Sequence, residues 1–297
     1  MKFDSYHPML NFIYFVSVII CTVCFKHPVF VGLSFVVAFA YSVKLLGKKA
    51  ILRNCGFVFL SFLYAVWYAS YEHFGVTVLG VNAIGNQMTF ESLVYGMTIG
   101  MIAASVCIWC SCIFELVTAD KIIYLFGKIS PRLSLFLSII LRTIPRVKVR
   151  AKRIEISRAG IGKGVFQGSL WFRFLHLCSL ISILITWTLE DFVESSNSMK
   201  SRGYSLKGRT AFSIYRFDNR DRSLVIVFSA CLTLIFMGVM FGETRVYFDP
   251  KFVINPITML SWLFYSSYAC FLSLPMALQI YSESYFKKCI QKNEKCA

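Results

Sequence analysis

The sequence predicts an all-α polytopic membrane protein, and three observations support this fold class. Hydrophobic residues make up 57% of the 297 residues and charged residues only 15%, whereas a soluble domain carries roughly 25% charged residues. The mean hydropathy is +0.64. Six apolar stretches approach or reach the length of a membrane-crossing helix, which is roughly 17–25 residues. Together these observations exclude a water-soluble protein.

The predicted transmembrane helices come in a group of four and a group of two, separated by a long basic segment. In chain order they cover residues 9–25, 28–43, 51–71, 93–117, 224–241 and 257–280. Two further apolar runs, 133–141 and 174–189, are short for a span and lead directly into basic sequence. We therefore predict about six transmembrane helices.

The loops between these helices predict the orientation, because Lys and Arg are enriched in cytoplasmic loops. The link between the second and third helices is basic, and the link 72–91 contains no Lys or Arg. The C-terminal tail is again basic, with lysines at 287, 288, 292 and 295. Six crossings with both termini in the cytoplasm satisfy all three segments.

Most of the positive charge lies in one part of the chain. Residues 120–222 contain 19 Lys/Arg and 7 Asp/Glu, a net charge of +12 out of +16 for the whole chain. A short basic loop would orient the helices equally well, so a segment of this length indicates a separate role. The chain accordingly divides into residues 1–118, a cytoplasmic domain 119–222, and residues 223–297.

The basic segment is predicted to form two long helices. The first begins at Pro131, where a first helical turn tolerates proline, contains the run Leu141-Arg142-Thr143-Ile144-Pro145, and is broken by the glycines from Gly160 onwards. The second runs from about residue 169 to 202, and Gly203 is a suitable residue to end it. Each helix is apolar near its start and basic near its end.

The sequence has no catalytic or metal-binding motif in the structural context that such a motif requires. Gly160-Ile-Gly-Lys-Gly is not a Walker A loop, because a helix precedes it and Ser157 stands at the position of its first glycine. The cysteine pairs lie inside predicted transmembrane helices, where small residues pack on one face. We therefore expect no catalytic residue, no metal site, no cofactor and no nucleic-acid partner.

These features resemble the transmembrane T component of energy-coupling factor (ECF) transporters, the EcfT/CbiQ family. The resemblance covers the architecture of the whole chain, and its specific part is about 120–207. The second helix ends in Ser201-Arg202-Gly203 followed by Tyr204, similar to the Ala-Arg-Gly motif of that family. The run from Leu141 to Pro145 also fits the family pattern.

The resemblance implies a function and a set of partners. T components are non-catalytic scaffolds in the bacterial cell membrane, whose two long coupling helices bind two cytoplasmic ABC-type ATPases. They also hold a small substrate-binding membrane protein, the S component, and so couple ATP hydrolysis to the uptake of a vitamin or of a transition-metal ion such as cobalt or nickel. The partners expected for this chain are these subunits and the lipid bilayer.

The resemblance also implies which residues contact the ATPases. At the end of the second helix these are Ser201, Arg202 and Gly203. The first helix contains Ser157-Arg158-Ala159-Gly160, which has one additional residue between Arg and Gly. This implies Arg158 as the docking arginine, with Arg153 as the alternative. The expected supporting residues are Arg142, Pro145, Arg153, Gly160 and Tyr204.

Two alternatives remain open at this level. Extended to Leu170, the run 174–189 reaches the length of a seventh transmembrane helix, although a seventh crossing would place the tail lysines outside. The chain could also be a membrane enzyme that acts on a lipid-linked phosphate substrate. Its candidate acids would be Glu190, Asp191 and Glu194, and no catalytic signature accompanies them.

Overall fold

The computed structural model describes residues 5–72, 74–81, 85–204, 206, 215, 217–249 and 252–296. Within this part the chain forms nine helices and two small hairpins, which confirms the all-α class. The helices are α1 Pro8–Cys24, α2 Pro28–Leu46, α3 Lys48–Tyr71, α4 Phe90–Leu116, α5 Ala119–Ile129, α6 Pro131–Gly160, α7 Leu170–Ser201, α8 Asn219–Met240 and α9 Met259–Cys296. The hairpins pair β1 Val78–Val81 with β2 Gln87–Thr89, and β3 Val246–Tyr247 with β4 Val253–Ile254.

The chain forms two compact units. The first comprises Met1–Thr118 and Tyr215–Ala297, and it contains α1–α4, α8 and α9. The second, Ala119–Ile214, contains α5–α7. Residues 205, 207–214 and 216 of the predicted basic segment lie outside the described residues.

Six of the described helices have the length and apolarity of a membrane span, namely α2, α3, α4, α7, α8 and α9. Helix α1 has 17 residues, the lower limit for a crossing. The run 174–189 was predicted to be too short for a membrane span. It is instead part of α7, one continuous helix of 32 residues that is long and apolar enough for a span. Neither Gly nor Pro interrupts it, so the polar half continues the apolar half.

The core of the first unit is built from aromatic side chains. Tyr14, Tyr41, Trp109, Tyr268 and Phe271 are fully buried. Polar contacts accompany them. The Trp109 Nε1–H donates to the Ser34 hydroxyl over 3.3 Å, and that hydroxyl lies 2.9 Å from the Thr22 hydroxyl. Such satisfied buried groups specify one packing arrangement of the helices.

One core contact compensates for a proline in a helix. Pro275 lies inside α9 and has no N–H for the carbonyl four residues earlier, that of Phe271. The Tyr14 hydroxyl lies 3.3 Å from the Phe271 carbonyl oxygen and 3.0 Å from that of Leu272, and donates to them. Helix α1 thus supplies the hydrogen bond that the proline removes from α9.

Side-chain contacts show which loops of the first unit lie at each of its two ends. At one end Lys44 Nζ lies 3.1 Å from Glu283 Oε2, joining the end of α2 to the C-terminal part of α9. The His7 N–H, before α1, donates to Asp221 Oδ1 at the start of α8 over 3.2 Å. The links that carry the two hairpins belong to the opposite end, where the Tyr265 hydroxyl lies 3.5 Å from His27 Nε2. Six helices therefore cross this unit from end to end.

The second unit begins with α5, an amphipathic helix of 11 residues that was not predicted from the sequence as a separate element. Helix α5 packs against α6, and the Ser134 hydroxyl donates to the Ile123 carbonyl over 3.2 Å. Helix α6 begins at Pro131 as predicted and continues through Pro145 for 30 residues in all. Helix α7 then packs on α6.

Candidate functional site

Helices α6 and α7 form an antiparallel pair. Arg150 Nη1 lies 2.5 Å from Asp191 Oδ2, and further along α6 the Arg158 Nη1 donates to the Ser179 hydroxyl over 2.7 Å. Residue numbers therefore rise along α6 while those of its α7 partners fall. Trp187 adds a ring contact beneath Arg150, whose guanidinium carbon lies 5.8 Å from the ring centre.

The end of α7 has the geometry that its sequence predicts. Arg202 is the C-cap residue and Gly203 follows with φ of +74°, a conformation that glycine adopts without a steric penalty. The Gly203 N–H donates to the Lys200 carbonyl over 3.0 Å, and the Tyr204 N–H donates to the Met199 carbonyl over 3.1 Å. This pair of bonds is a Schellman motif, and it leaves the Arg202 side chain exposed at the tip.

Helix α6 ends in the same motif, with different residues in the corresponding places. Gly162 has φ of +75° and its N–H donates to the Ala159 carbonyl over 3.1 Å, while the Lys163 N–H donates to the Arg158 carbonyl over 2.9 Å. The residue at the position of Arg202 is therefore Ile161, and Arg158 lies nearly one turn earlier. Gly160 is the last helical residue, and Gly162 provides the left-handed conformation.

The two arginines predicted to dock partners have different surroundings. The guanidinium of Arg158 spans the end of α6, since its Nε also lies 3.4 Å from the Lys163 carbonyl oxygen. Together with the bond to Ser179, this fixes Arg158 within the helix pair. Arg202 is exposed at the other end of the pair and lines one groove with Arg142. Because Arg142 and Arg158 are 16 residues apart on one helix, the two sites lie about 24 Å apart.

A groove of about 490 Å³ runs between α6 and α7. Arg142, Arg146 and Arg150 line it from α6 at a spacing of four residues, which puts them on one face of the helix. Arg202 and Tyr204 line it at the end of α7. Of the predicted residues the groove thus brings together Arg142, Arg202 and Tyr204. Pro145 and Gly160 do not line it, and Arg153 lies beside Trp187 in a neighbouring depression.

Arg146 and Arg150 also belong to this site, although neither was predicted from the sequence to do so. Their spacing with Arg142 is visible in the sequence and predicts a cationic stripe, but nothing in the sequence shows that α7 lies opposite it. The described residues contain no cluster of three or more His, Cys, Asp or Glu side chains that could hold a metal ion. The arginines that line the groove are suited to binding anionic groups through their guanidinium side chains.

Comparison with known proteins gives one similarity of limited extent. No protein-family model matches the chain. Over 112 residues the chain is 30% identical to the energy-coupling factor transporter transmembrane protein EcfT of Bacillus selenitireducens. The match covers 37% of this chain and 40% of the relative, so the chain spans about two fifths of the length of the curated relative it matches. Over this segment the chain is similar to a membrane component of an ECF transporter.

Proposed function

We propose that this chain is the transmembrane coupling subunit, or T component, of an ECF importer in a bacterial cell membrane. The observation that carries the proposal is the 30% identity to a protein named EcfT over 112 residues. The set of long apolar helices and the separate unit that contains the basic pair α6 and α7 are the architecture this role requires.

In this role the chain transmits motion and performs no chemistry of its own. Two cytoplasmic ABC-type ATPases would bind the second unit and move it as they bind and hydrolyse ATP. The first unit would hold a small substrate-binding S component and reorient it, which releases a vitamin or a transition-metal ion inwards. The contacts that join α6 to α7 at Asp191 and Ser179 support this mechanism, because a helix pair linked at two points can move as one body.

Arg202 is the residue that we propose docks directly on an ATPase. Its guanidinium can donate two parallel hydrogen bonds to a carboxylate, and it lies exposed at a helix end. The left-handed Gly203 turns the backbone away at once and allows a partner surface to approach closely. The Ser201 hydroxyl donates to the Ser198 carbonyl over 2.9 Å, which stabilises the last turn that presents Arg202.

The geometry of Arg158 favours an indirect role in docking. Its side chain holds the end of α6 to α7 through Ser179, so we propose that it fixes the position of the α6 tip without extending into a partner. Arg153 is exposed on the last third of α6 and remains a candidate for direct contact there. Arg142, Pro145, Gly160 and Tyr204 complete the proposed supporting set.

A binding experiment tests the docking role of Arg202. The full chain is purified with candidate ATPases, and ATPase retention and ATP-driven uptake are measured for Arg202→Glu. We expect ATPase affinity to fall at least tenfold, because breaking a hydrogen-bonded charge pair at an interface costs about 2–5 kcal/mol. Lys200→Glu is the matched control, since it makes the same charge change two residues away on an exposed side chain.

The outcomes separate docking from general charge. A loss confined to Arg202→Glu supports a specific contact. Equal losses in both variants would show that only the net charge of the α7 end matters. Unchanged assembly and uptake in Arg202→Glu would remove the docking role from this residue.

The enzyme alternative is not favoured by the site. Of its three candidate acids, Asp191 is already paired with the guanidinium of Arg150. Turnover of a lipid-linked phosphate by the purified chain alone would be the result that favours this alternative.

A further inference from the structure

The groove between α6 and α7 is lined by Arg142, Arg146 and Arg150 in addition to Arg202. Docking through Arg202 alone does not require these three further positive charges. We propose that this groove binds the phosphate group of an anionic phospholipid. The site is distinct from the Arg202 tip in its central residues, Arg142 and Arg146 of α6, and it needs no partner subunit to form.

The charge balance inside the groove favours an anion. Four arginines line it, and the acidic residues that face them are Asp191 and Glu194. Asp191 pairs with Arg150, which compensates one positive charge. Arg142 and Arg146 are exposed along the same wall, one helical turn apart. Two guanidinium groups at this separation can share one phosphate, each through two parallel hydrogen bonds.

The apolar surroundings of the groove favour a lipid over a free phosphate ion. At the α7 tip end its wall changes from arginine to Leu135 and Ile139, and Phe136 beside them is 62% exposed. A ligand with a phosphate and a hydrocarbon tail would satisfy both surfaces, whereas inorganic phosphate would contact the charged part alone.

The length of α7 supplies a second reason for lipid contact. From Leu170 to Leu189 the only Lys or Arg is Arg173, and no Asp or Glu occurs. None of the side chains of α7 is buried within the protein. An exposed apolar helix beside a cationic one is the arrangement of interfacial membrane segments, whose binding combines buried apolar area with attraction to anionic lipid.

Native mass spectrometry of the purified full chain tests the site. The protein is exchanged into detergent that contains phosphatidylglycerol or phosphatidylcholine, and the retained lipid is counted. We expect the chain to retain phosphatidylglycerol in preference to phosphatidylcholine. The double variant Arg142→Gln/Arg146→Gln should lower phosphatidylglycerol retention at least tenfold. The control Lys148→Gln/Lys152→Gln makes the same charge change on exposed residues of α6 that do not line the groove.

A second variant blocks the groove without changing its charge, and its elution volume shows whether the protein is still folded. Ser195→Phe fills the groove from α7 and should also lower retention, with an unchanged elution volume in size-exclusion chromatography. Adding inorganic phosphate at millimolar concentration should displace little of the lipid, because phosphate lacks the tail.

Three results would overturn the proposal. Equal loss in the groove and control double variants would show diffuse attraction without a site. Full displacement by inorganic phosphate would show an ion site without lipid selectivity. Unchanged lipid retention, together with loss of ATPase binding in Arg142→Gln/Arg146→Gln, would identify the groove as a protein interface. The first two results do not depend on whether Arg202 docks an ATPase.

Discussion

At the scale of single residues, two similar helix ends use their arginines differently. Both α6 and α7 end in a Schellman motif with a left-handed glycine. In α7 the arginine is the C-cap residue and is exposed. In α6 the left-handed glycine is Gly162 and the C-cap residue is Ile161, so Arg158 lies three residues before the C-cap, where it reaches Ser179 on α7. The position of the arginine relative to the C-cap thus decides whether its guanidinium faces solvent or joins two helices.

This difference predicts the effect of Arg158→Ala. Removing the guanidinium deletes a hydrogen bond between α6 and α7 that is worth about 1 kcal/mol, so local opening of the pair should become roughly fivefold more frequent. Hydrogen exchange of the segments around Arg158 and Ser179 measures this opening. Lys152→Ala, at an exposed position on the same helix, should leave exchange unchanged. Equal protection in both variants would mean that Arg158 does not join the helices.

At the scale of elements, the contact between α3 and α4 depends on two glycines spaced by four. A Cβ on Gly96 would lie 3.1 Å from the Ala65 Cα, and a Cβ on Gly100 would lie 2.7 Å from the Ser61 carbonyl oxygen. Small residues at this spacing allow transmembrane helices to approach until their backbones touch. The two glycines therefore determine how closely α3 and α4 pack.

The close approach predicts that even Gly100→Ala is destabilising. The added methyl group would force α3 and α4 apart, with an expected cost of about 1–3 kcal/mol, as for other overpacked cores. The thermal unfolding midpoint of the purified chain in detergent should fall. Gly32→Ala in α2 is the control, since a Cβ there meets nothing within 4 Å. A midpoint for Gly100→Ala equal to that of the control would show that the helices have room at this point.

The elements also show how much of the fold and of the site could be predicted from the sequence. The prediction of a helix from about 169 to 202 is confirmed within one residue, because an apolar start and a terminal glycine are local signals. The hairpins of two to four residues per strand were missed, since pairs this short depend on the helices that flank them. The groove was missed for a similar reason. Arg146 and Arg150 form a site only because α7 packs antiparallel to α6.

At the scale of the whole molecule, the start of α8 and the end of α4 lie at the same end of the first unit. Two contacts, between Lys44 and Glu283 and between His7 and Asp221, lie at one end of this unit. They show that the start of α1, the end of α2, the start of α8 and the C-terminal part of α9 are together there. Helix α4 runs towards this end, because Tyr95 near its start contacts Phe74 and Trp109 further on contacts Tyr41. A membrane crossing by α7 would therefore require a second crossing between residues 118 and 218.

Helix α6 is poorly suited to be that second crossing. It carries eight Lys/Arg and one Glu in 30 residues, and each unpaired charge at the centre of a bilayer costs about 2.5–3.5 kcal/mol. Helix α7 is joined to α6 at Asp191 and Ser179, so the two should lie on the same side of the membrane. Length and apolarity alone would make α7 a span, and its pairing with α6 argues for a position at the membrane surface.

Cysteine accessibility tests this topology at both ends of the pair. On a background without the native cysteines, Lys163→Cys and Lys200→Cys mark the α6–α7 turn and the end of α7, and Leu79→Cys marks the exposed hairpin strand β1. A membrane-impermeant maleimide should label only Leu79→Cys in intact cells and both lysine positions in inverted vesicles, because the enrichment of Lys and Arg predicts that the basic segment faces the cytoplasm. Labelling of Lys163→Cys and Lys200→Cys from opposite sides would show that α7 crosses the bilayer. Labelling of both from outside would reverse the orientation, and with it the access of cytoplasmic ATPases to Arg202.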